Sequence, residues 1–355
     1  MILGVGAAPR IADRDAGHDN NFNLIRMLAA LGVMVSHAVP LTLGIGTPEP
    51  LEEALKGVNL GRVCVMVFFA ISGFFITRSF TTKRDPMAFL RARALRIYPG
   101  LVVMLVLMLG IGGLWIATDP VRFWRSAPDY VIRTLTFVVS ARWLDGILET
   151  APFPREVNGS LWSLRFEVAC YLGVLLAGVS GLFDRRRAFL GCAAAFLAIY
   201  LVAPVVTTNF VIRRMLLVGL PFVIGVAFHV WRDRIPLSPV ALAGLVAGAV
   251  LLRPTPLFPA AVVLALCYAT FCFGFARIPV LARYTTLGDY SYGTYIYAFP
   301  IQQMAVIWGF GTPMSNLAVA VPLTLGCAIL SWRLVEAPAM RFGRSRRFVT
   351  RALDK

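Results

Sequence analysis

Apolar residues in this chain gather in long blocks broken by short charged stretches, at about 24–44, 59–77, 98–117, 160–182, 188–206, 215–231, 237–252, 256–275, 291–309 and 316–335. A helix of about 20 apolar residues crosses roughly 30 Å of hydrocarbon. Most of these blocks reach that length, and one soluble core would not break into so many of them. The pattern predicts an all-α polytopic membrane protein of about ten transmembrane helices. The seventh and eighth blocks are short and are parted only by Arg253-Pro254-Thr255-Pro256. Between the third and fourth blocks a long polar segment holds an amphipathic stretch, Tyr130 to Val139, that suits a short interfacial or re-entrant helix closed by Pro152 and Pro154. The layout is a polar segment 1–20, a membrane domain 21–338 and a basic tail 339–355.

Charge adds orientation. With the N-terminus inside, 21 Lys and Arg fall in inner segments and nine in outer ones. The positive-inside bias therefore places both termini in the cytoplasm, in a multi-pass protein of the cytoplasmic (inner) membrane. The same bias accounts for the net charge of +16, so a nucleic-acid partner is not expected. Hydrophobic residues make up 58% of the chain and charged ones 15%, a balance that fits lipid rather than water as solvent. The first 20 residues lack the pattern of a cleaved signal, and the block after them is too long for one. The six cysteines lie in apolar runs with no C-x-x-C pair, so neither a disulfide nor a metal site is expected.

Ionisable groups inside spans are costly and draw attention first. His37 lies well inside the first block and Arg26 eleven residues earlier, on nearly the same helix face and about 16 Å away along the axis. Glu167 shares a face with Ser160, Ser163 and Tyr171, with Trp162 and Arg165 beside it, and a carboxylate there needs a partner or a proton. Arg93 and Arg96 face one way on a helix, and their guanidinium forks suit phosphates as well as lipid headgroups or simple anchoring. The ninth block places Ser291, Tyr295, Ala298 and Gln302 on one face beside Pro300, as a cavity wall or as helix–helix glue. Arg333 and Glu336, three apart, suit an ion pair at the inner surface. Signatures for phosphate-binding loops, nucleophile elbows, dinucleotide folds and zinc hydrolases do not occur.

In order, Arg26-x10-His37, Val67-Phe68-Phe69-Ala70-Ile71-Ser72-Gly73-Phe74-Phe75-Ile76, Arg93-x-x-Arg96-Ile97-Tyr98-Pro99, Leu161-Trp162-Ser163-Leu164-Arg165-Phe166-Glu167, Ser291–Pro300 and Ser331-Trp332-Arg333-Leu334-Val335-Glu336-Ala337-Pro338 form a set. The set resembles the membrane acyltransferase 3 family, whose members O-acetylate surface polysaccharides and related glycans. The resemblance implies acyl-CoA, above all acetyl-CoA, as cytoplasmic donor and a carbohydrate or lipid-linked glycan as acceptor, among membrane lipids and without a metal. It implies that His37 is essential, as general base or transient acyl carrier, with Glu167 helping to bind or orient the acceptor. It makes Arg26, Arg93, Arg96 and Tyr98 the donor-binding candidates, and Trp162, Ser163, Tyr171, Tyr295 and Gln302 the acceptor-binding ones. Many relatives carry a histidine where this chain has Ala298. Some carry a fused periplasmic domain, so this chain is expected to act alone or with a separate periplasmic partner. The competing expectation is a transporter or flippase of a glycan, which polar, broken helices also suit.

Overall fold

A computed structural model describes residues 8–15, 20–137, 143–282, 284 and 287–342. The tail beyond Phe342, Arg142, Arg283 and the last two residues of the 130–139 stretch lie outside these. In chain order the helices are α1 (Ile11–Asp15), α2 (Phe22–Leu43), α3 (Pro50–Ala54), α4 (Leu60–Lys83), α5 (Pro86–Ile111), α6 (Pro120–Thr136), α7 (Leu164–Val179), α8 (Arg186–Val206), α9 (Phe210–Val230), α10 (Pro239–Leu251), α11 (Phe258–Gly274), α12 (Pro279–Ala282), α13 (Ser291–Ile307) and α14 (Pro313–Ser331). One π-helical turn, Gly112–Ile116, extends α5 and another, Trp332–Glu336, extends α14, while a 3₁₀ turn, Gly159–Ser163, leads into α7. The described residues contain no strand, only the isolated bridges Arg10–Pro236 and Trp143–Glu156.

Each apolar block contains a helix, and seven helical stretches are long and apolar enough to cross a membrane. They are Phe22–Leu43, Leu60–Lys83, Pro86–Ile116, Gly159–Val179, Arg186–Val206, Phe210–Val230 and Pro313–Phe342. Three expected spans fall short: α10 has 13 residues, and α11 and α13 have 17 each. At 1.5 Å per residue α10 covers only about 20 Å. Proline explains several boundaries. Asp85, Asp119, Ser238 and Thr312 each cap a helix whose first residue is Pro, accepting from Ala88, Arg122, Ala241 and Ser315 amides. A polar cap followed by a residue that needs no amide partner is a strong start signal. It also moves one boundary: α5 begins at Pro86, ahead of the predicted block, and takes in Arg91, Arg93 and Arg96.

The chain forms two compact units, Met1–Arg26 with Val65–Arg84 and Cys170–Leu287, and Met27–Cys64 with Asp85–Ala169 and Gly288–Lys355. In the first, α4 and α9 cross at glycines. A Cβ on Gly73 would overlap the Phe222 carbonyl, and one on Gly225 would overlap that of Ala70. In lipid such close backbone approach supplies the packing that water would otherwise drive. Phe22, Phe74, Phe75, Phe271 and Phe275 interlock around this crossing, edge to face except for the tilted Phe74–Phe271 pair. The most apolar window of α4 is 61% buried and that of α8 only 11%, so α8 presents its leucines and valines outward, where hydrocarbon accepts them.

In the second unit α13 is the innermost helix, and its residues from Gly293 to Phe299 are all buried. It packs closely on α14, where a Cβ on Gly293 would come within 2.9 Å of the Ala328 Cα. The amphipathic helix α6 turns Phe123, Ala127, Tyr130 and Thr134 inward and leaves Val121, Trp124 and Ile132 exposed.

Candidate functional site

Within the second unit α13 organises the polar residues in layers. Its Tyr292 hydroxyl donates to the Ile97 carbonyl of α5 at 2.7 Å. One turn on, the Tyr295 hydroxyl reaches the Ser160 carbonyl at 2.8 Å and the Ser163 hydroxyl at 2.7 Å. A further turn on, the Phe299 ring meets the His37 ring edge to face, centroids 5.2 Å apart. Then Gln302 donates from Nε2 to the Met34 carbonyl of α2 at 2.9 Å and to Asn316 Oδ1 at 3.2 Å, and Gln303 donates to the Phe153 and Glu156 carbonyls, both at 2.9 Å. The Nε2 groups of both glutamines and the tyrosine hydroxyls thus meet oxygen partners, as a low-dielectric interior favours, while Gln302 Oε1, Gln303 Oε1 and the Ser160 hydroxyl are buried without one.

His37 stands at the middle of this arrangement. Its Nδ1 is buried and makes no hydrogen bond, while the carbonyl of Met34, one turn earlier on α2, is already taken by Gln302. A ring nitrogen withdrawn from solvent and left without a protein partner is a costly feature that normally finds a ligand or water. Ser36, the preceding residue, is engaged elsewhere. Its hydroxyl lies 2.8 and 2.9 Å from the two carboxylate oxygens of Glu49, which is buried in the α2–α3 connection. Burial raises the Glu49 carboxyl above its ordinary range, against opposing hydrogen bonds from Ser36 and the Leu60 amide.

The segment before α7 faces the same place. Asn158 accepts from the Ser160 amide at 3.2 Å and donates to the Ile296 carbonyl of α13 at 2.9 Å. Any side chain at Gly159 would strike the Phe299 ring, since a Cβ there would lie 2.6 Å from it. Ser160, Ser163 and Tyr171 are buried, and Trp162 and Glu167 are half-buried on the same stretch. The expected common face begins in a 3₁₀ turn, whose three residues per turn set Ser160 directly beneath Ser163.

Phe299 therefore touches His37 and closes over Gly159, and one turn earlier on α13 Tyr295 is hydrogen-bonded to Ser163. Gln302 is fully buried and gives its Nε2 to α2 and α14, the helix-gluing alternative for that block, with its Oε1 unpartnered. Ala298 packs with Met34 and Ala320 in an apolar cluster, so no polar group stands where many relatives are expected to carry histidine. Sequence reasoning missed Phe299, Asn158, Gly159 and Glu49 as neighbours of the site. The Asn-Gly-Ser run is a turn and cap signal that could have marked two of them.

The arginines divide. Arg96 points inward, to Asp289 at 2.6 Å and Glu336 at 3.4 Å, with its guanidinium over the Tyr292 and Trp332 rings. Ser331 donates to Glu336 at 2.8 Å and Ser291 to Asp289 at 2.5 Å, which completes a buried network among α5, α13 and the π turn. The expected Arg333–Glu336 pair is replaced by these contacts, because the π turn sends Glu336 inward and leaves Arg333 exposed. Arg93 is half-buried with its guanidinium 5.9 Å from the Phe89 ring. Tyr98 is exposed and donates to the Leu135 carbonyl of α6 at 2.9 Å. Arg26, on the first turns of α2, lies 5.8 Å from the Phe75 ring within the first unit.

The chain is similar to known proteins over nearly its whole length. The chain is 29% identical over 359 residues to a protein named O-acetyl transferase from Shigella phage Sf6, covering 95% of this chain and 98% of that one. It is 26% identical over 367 residues to Nodulation protein 10 of Rhizobium leguminosarum bv. viciae, covering 94% and 96%. No solved structure matches it. The sequence profile described as Acyltransferase domain matches residues 19–333, from just before α2 into the π turn after α14, and the chain belongs to that acyltransferase 3 family.

Proposed function

We propose that this membrane acyltransferase moves an acetyl group from acyl-CoA to a hydroxyl of a carbohydrate-containing acceptor, with His37 as the group that takes the hydroxyl proton. The observation that carries the reading is the His37 ring, set in the midst of hydrogen-bonded neighbours with a buried Nδ1 that has no protein partner. In the step proposed, the acceptor oxygen attacks the thioester carbonyl and loses its proton to the imidazole. The C–S bond then breaks, and the departing thiolate takes that proton to leave as a thiol. Ser163 and Tyr295, hydrogen-bonded to each other one helical turn from Phe299, are the groups proposed to orient the acceptor hydroxyl, with Trp162 and Glu167 beside them on the α7 stretch. A site closed to water protects the thioester from hydrolysis. The phage relative's name supports O-acetyl transfer as the chemistry. Arg26 and Arg93 remain the proposed contacts for donor phosphates, whereas Arg96 has its donors turned to two carboxylates. Orientation with both termini in the cytoplasm would present the donor from inside.

The test is transfer of label from radiolabelled acetyl-CoA to glycan in membranes. His37→Ala should lower the rate about 10²–10⁴-fold, the usual worth of a general base, with unchanged protein level. Full transfer by the variant would end the role of His37. A glycan fraction left unlabelled by the wild type would favour transport over chemistry.

A further inference from the structure

Three buried oxygens of the second unit have no hydrogen-bond partner among the described residues and no part in the step proposed above: the hydroxyls of Tyr130 and Ser160 and Oε1 of Gln303. Tyr130 and Gln303 are each 1% exposed and Ser160 is 0% exposed. Tyr130 lies on the inward face of α6, and Thr134, one turn on along that face, is likewise unmet. That helix runs back along α5 and is pinned at both ends. The Tyr98 hydroxyl donates to the Leu135 carbonyl, and a Cβ on Gly113, in the π turn that extends α5, would lie 2.7 Å from the Phe123 ring. From the Tyr98–Leu135 contact, Tyr130 is about 8 Å along α6 and Met104 about 9 Å along α5, at 1.5 Å per residue. Met104 in turn meets Asn158, Nδ2 to Sδ 3.6 Å. Tyr130 thus stands at the level of the segment before α7.

Glu156 of that segment connects the three. Its carbonyl holds the Gln303 side-chain amide at 2.9 Å, and it is the charged group that acts on the Tyr130 hydroxyl. Its carboxylate Oε1 would lie 3.2 Å from a Cβ on Gly159, the residue before Ser160, and the Phe299 ring would lie 2.6 Å from the same Cβ. Carboxylate and ring therefore flank one point, and that ring is the one set against His37. A buried hydroxyl without a protein partner is costly and normally meets a ligand or water. Here the two hydroxyls both donate and accept, whereas Gln303 Oε1 and the Glu156 carboxylate only accept. Such a set suits a partner that brings several O–H donors, and Phe299 offers its apolar ring to that partner's carbons. A second carboxylate would be repelled by the first.

We infer that Tyr130, Glu156, Ser160 and Gln303 line a subsite for one neutral sugar ring of the acceptor, held through its hydroxyls beside the His37–Phe299 pair. The inference rests on the reading of a carbohydrate-containing acceptor and deepens it. It brings α6 into the acceptor site and restricts the ring bound there to a sugar without a carboxylate. The site is fixed before the ligand arrives, because Gln303 clamps the Phe153 and Glu156 carbonyls and Asn158 clamps that of Ile296.

The experiment uses the full-length protein in nanodiscs with radiolabelled acetyl-CoA. The acceptor probe is membrane glycan, freed of its esters by mild alkali and split by anion exchange into neutral and acidic pools. Tyr130→Phe, Ser160→Ala and Glu156→Gln are the variants. Each should raise KM for the neutral pool about tenfold and change KM for acetyl-CoA by less than about twofold, as expected for one lost hydrogen bond to the acceptor. Tyr130→Phe and Ser160→Ala should keep the wild-type melting temperature, because neither hydroxyl has a protein partner to abandon. Glu156→Gln should also let label enter the acidic pool, which the wild type labels poorly. An unchanged KM for the neutral pool in all three variants would overturn the subsite and leave acyl transfer at His37 standing, and a lower melting temperature beside it would show that the hydroxyls hold buried water. Equal rises in both KM values would overturn the subsite by placing these residues on the donor's path. A wild type that labels both pools alike would overturn the neutral-sugar assignment. A wild type that labels neither would overturn the carbohydrate reading, and the subsite with it.

Discussion

Glu49 shows what a single buried carboxyl does in the connection between α2 and α3. It is 7% exposed and holds the Ser36 hydroxyl with both oxygens. Because burial raises its folded pKa above the unfolded value, the folded protein prefers the protonated form. Its contribution to stability is therefore fully present below the ordinary carboxylate range and declines as pH rises from there through the raised value. Replacing it by the uncharged amide, Glu49→Gln, should flatten that decline. Melting temperatures of both proteins between pH 4 and 8 give the answer, and parallel curves would show that Glu49 is not the titrating group. At His37, beside the Ser36 that Glu49 holds, the proposed consequence is catalytic rather than structural. Its ring was visible in the sequence as an imidazole inside an apolar block. The orphaned Nδ1 and the Phe299 ring against it were not, because both depend on where α13 lies.

At the scale of elements, glycine decides how closely helices approach. Gly73 and Gly225 let α4 and α9 touch backbone to backbone, and neither overlap is with a side chain that could swing away. Gly73→Ala should cost about 3 kcal/mol or more, since the helices must separate to admit the methyl group. Gly244, inside α10, has nothing within 4 Å of its added Cβ. Gly244→Ala should be neutral or stabilising by up to about 1 kcal/mol, from the lower entropy cost of alanine in a helix. Thermal unfolding of the two variants in one detergent measures the contrast, and equal effects would show that the α4–α9 contact is not that tight. Sequence placed Gly73 in a motif but gave no reason for it; the reason is a carbonyl contributed by a helix about 150 residues later.

For the whole molecule, orientation is the property that charge predicts and that labelling can check. Asp129 on α6 and Arg187 at the start of α8 are both exposed, and they belong to segments expected on opposite sides. In a background with the exposed Cys192 replaced by alanine, a membrane-impermeant maleimide should label Asp129→Cys on intact cells and Arg187→Cys only after permeabilisation. The reverse pattern would invert the protein in the membrane. Helix number is a separate matter. Block length predicts ten spans, yet α10, α11 and α13 are shorter than the seven helical stretches long enough to cross a membrane. In α13, buried on all sides from Gly293 to Phe299, every residue meets protein.

What the sequence determined alone was the local part: helices wherever apolar blocks ran, their starts wherever a polar cap met proline, the family from its ordered motifs, and the residue types able to carry acyl transfer. These depend on neighbours in the chain, and local propensity and hydropathy suffice for them. The tertiary structure decided which polar groups were already spent. Arg96 and Glu336 satisfy each other, Gln302 is committed to the Met34 carbonyl, and Ala298 vanishes into an apolar cluster, while His37 and Arg14 keep buried nitrogens with no partner. That division could not be read from spacing, because whether a buried donor or acceptor is satisfied depends on atoms supplied by segments far away in the chain.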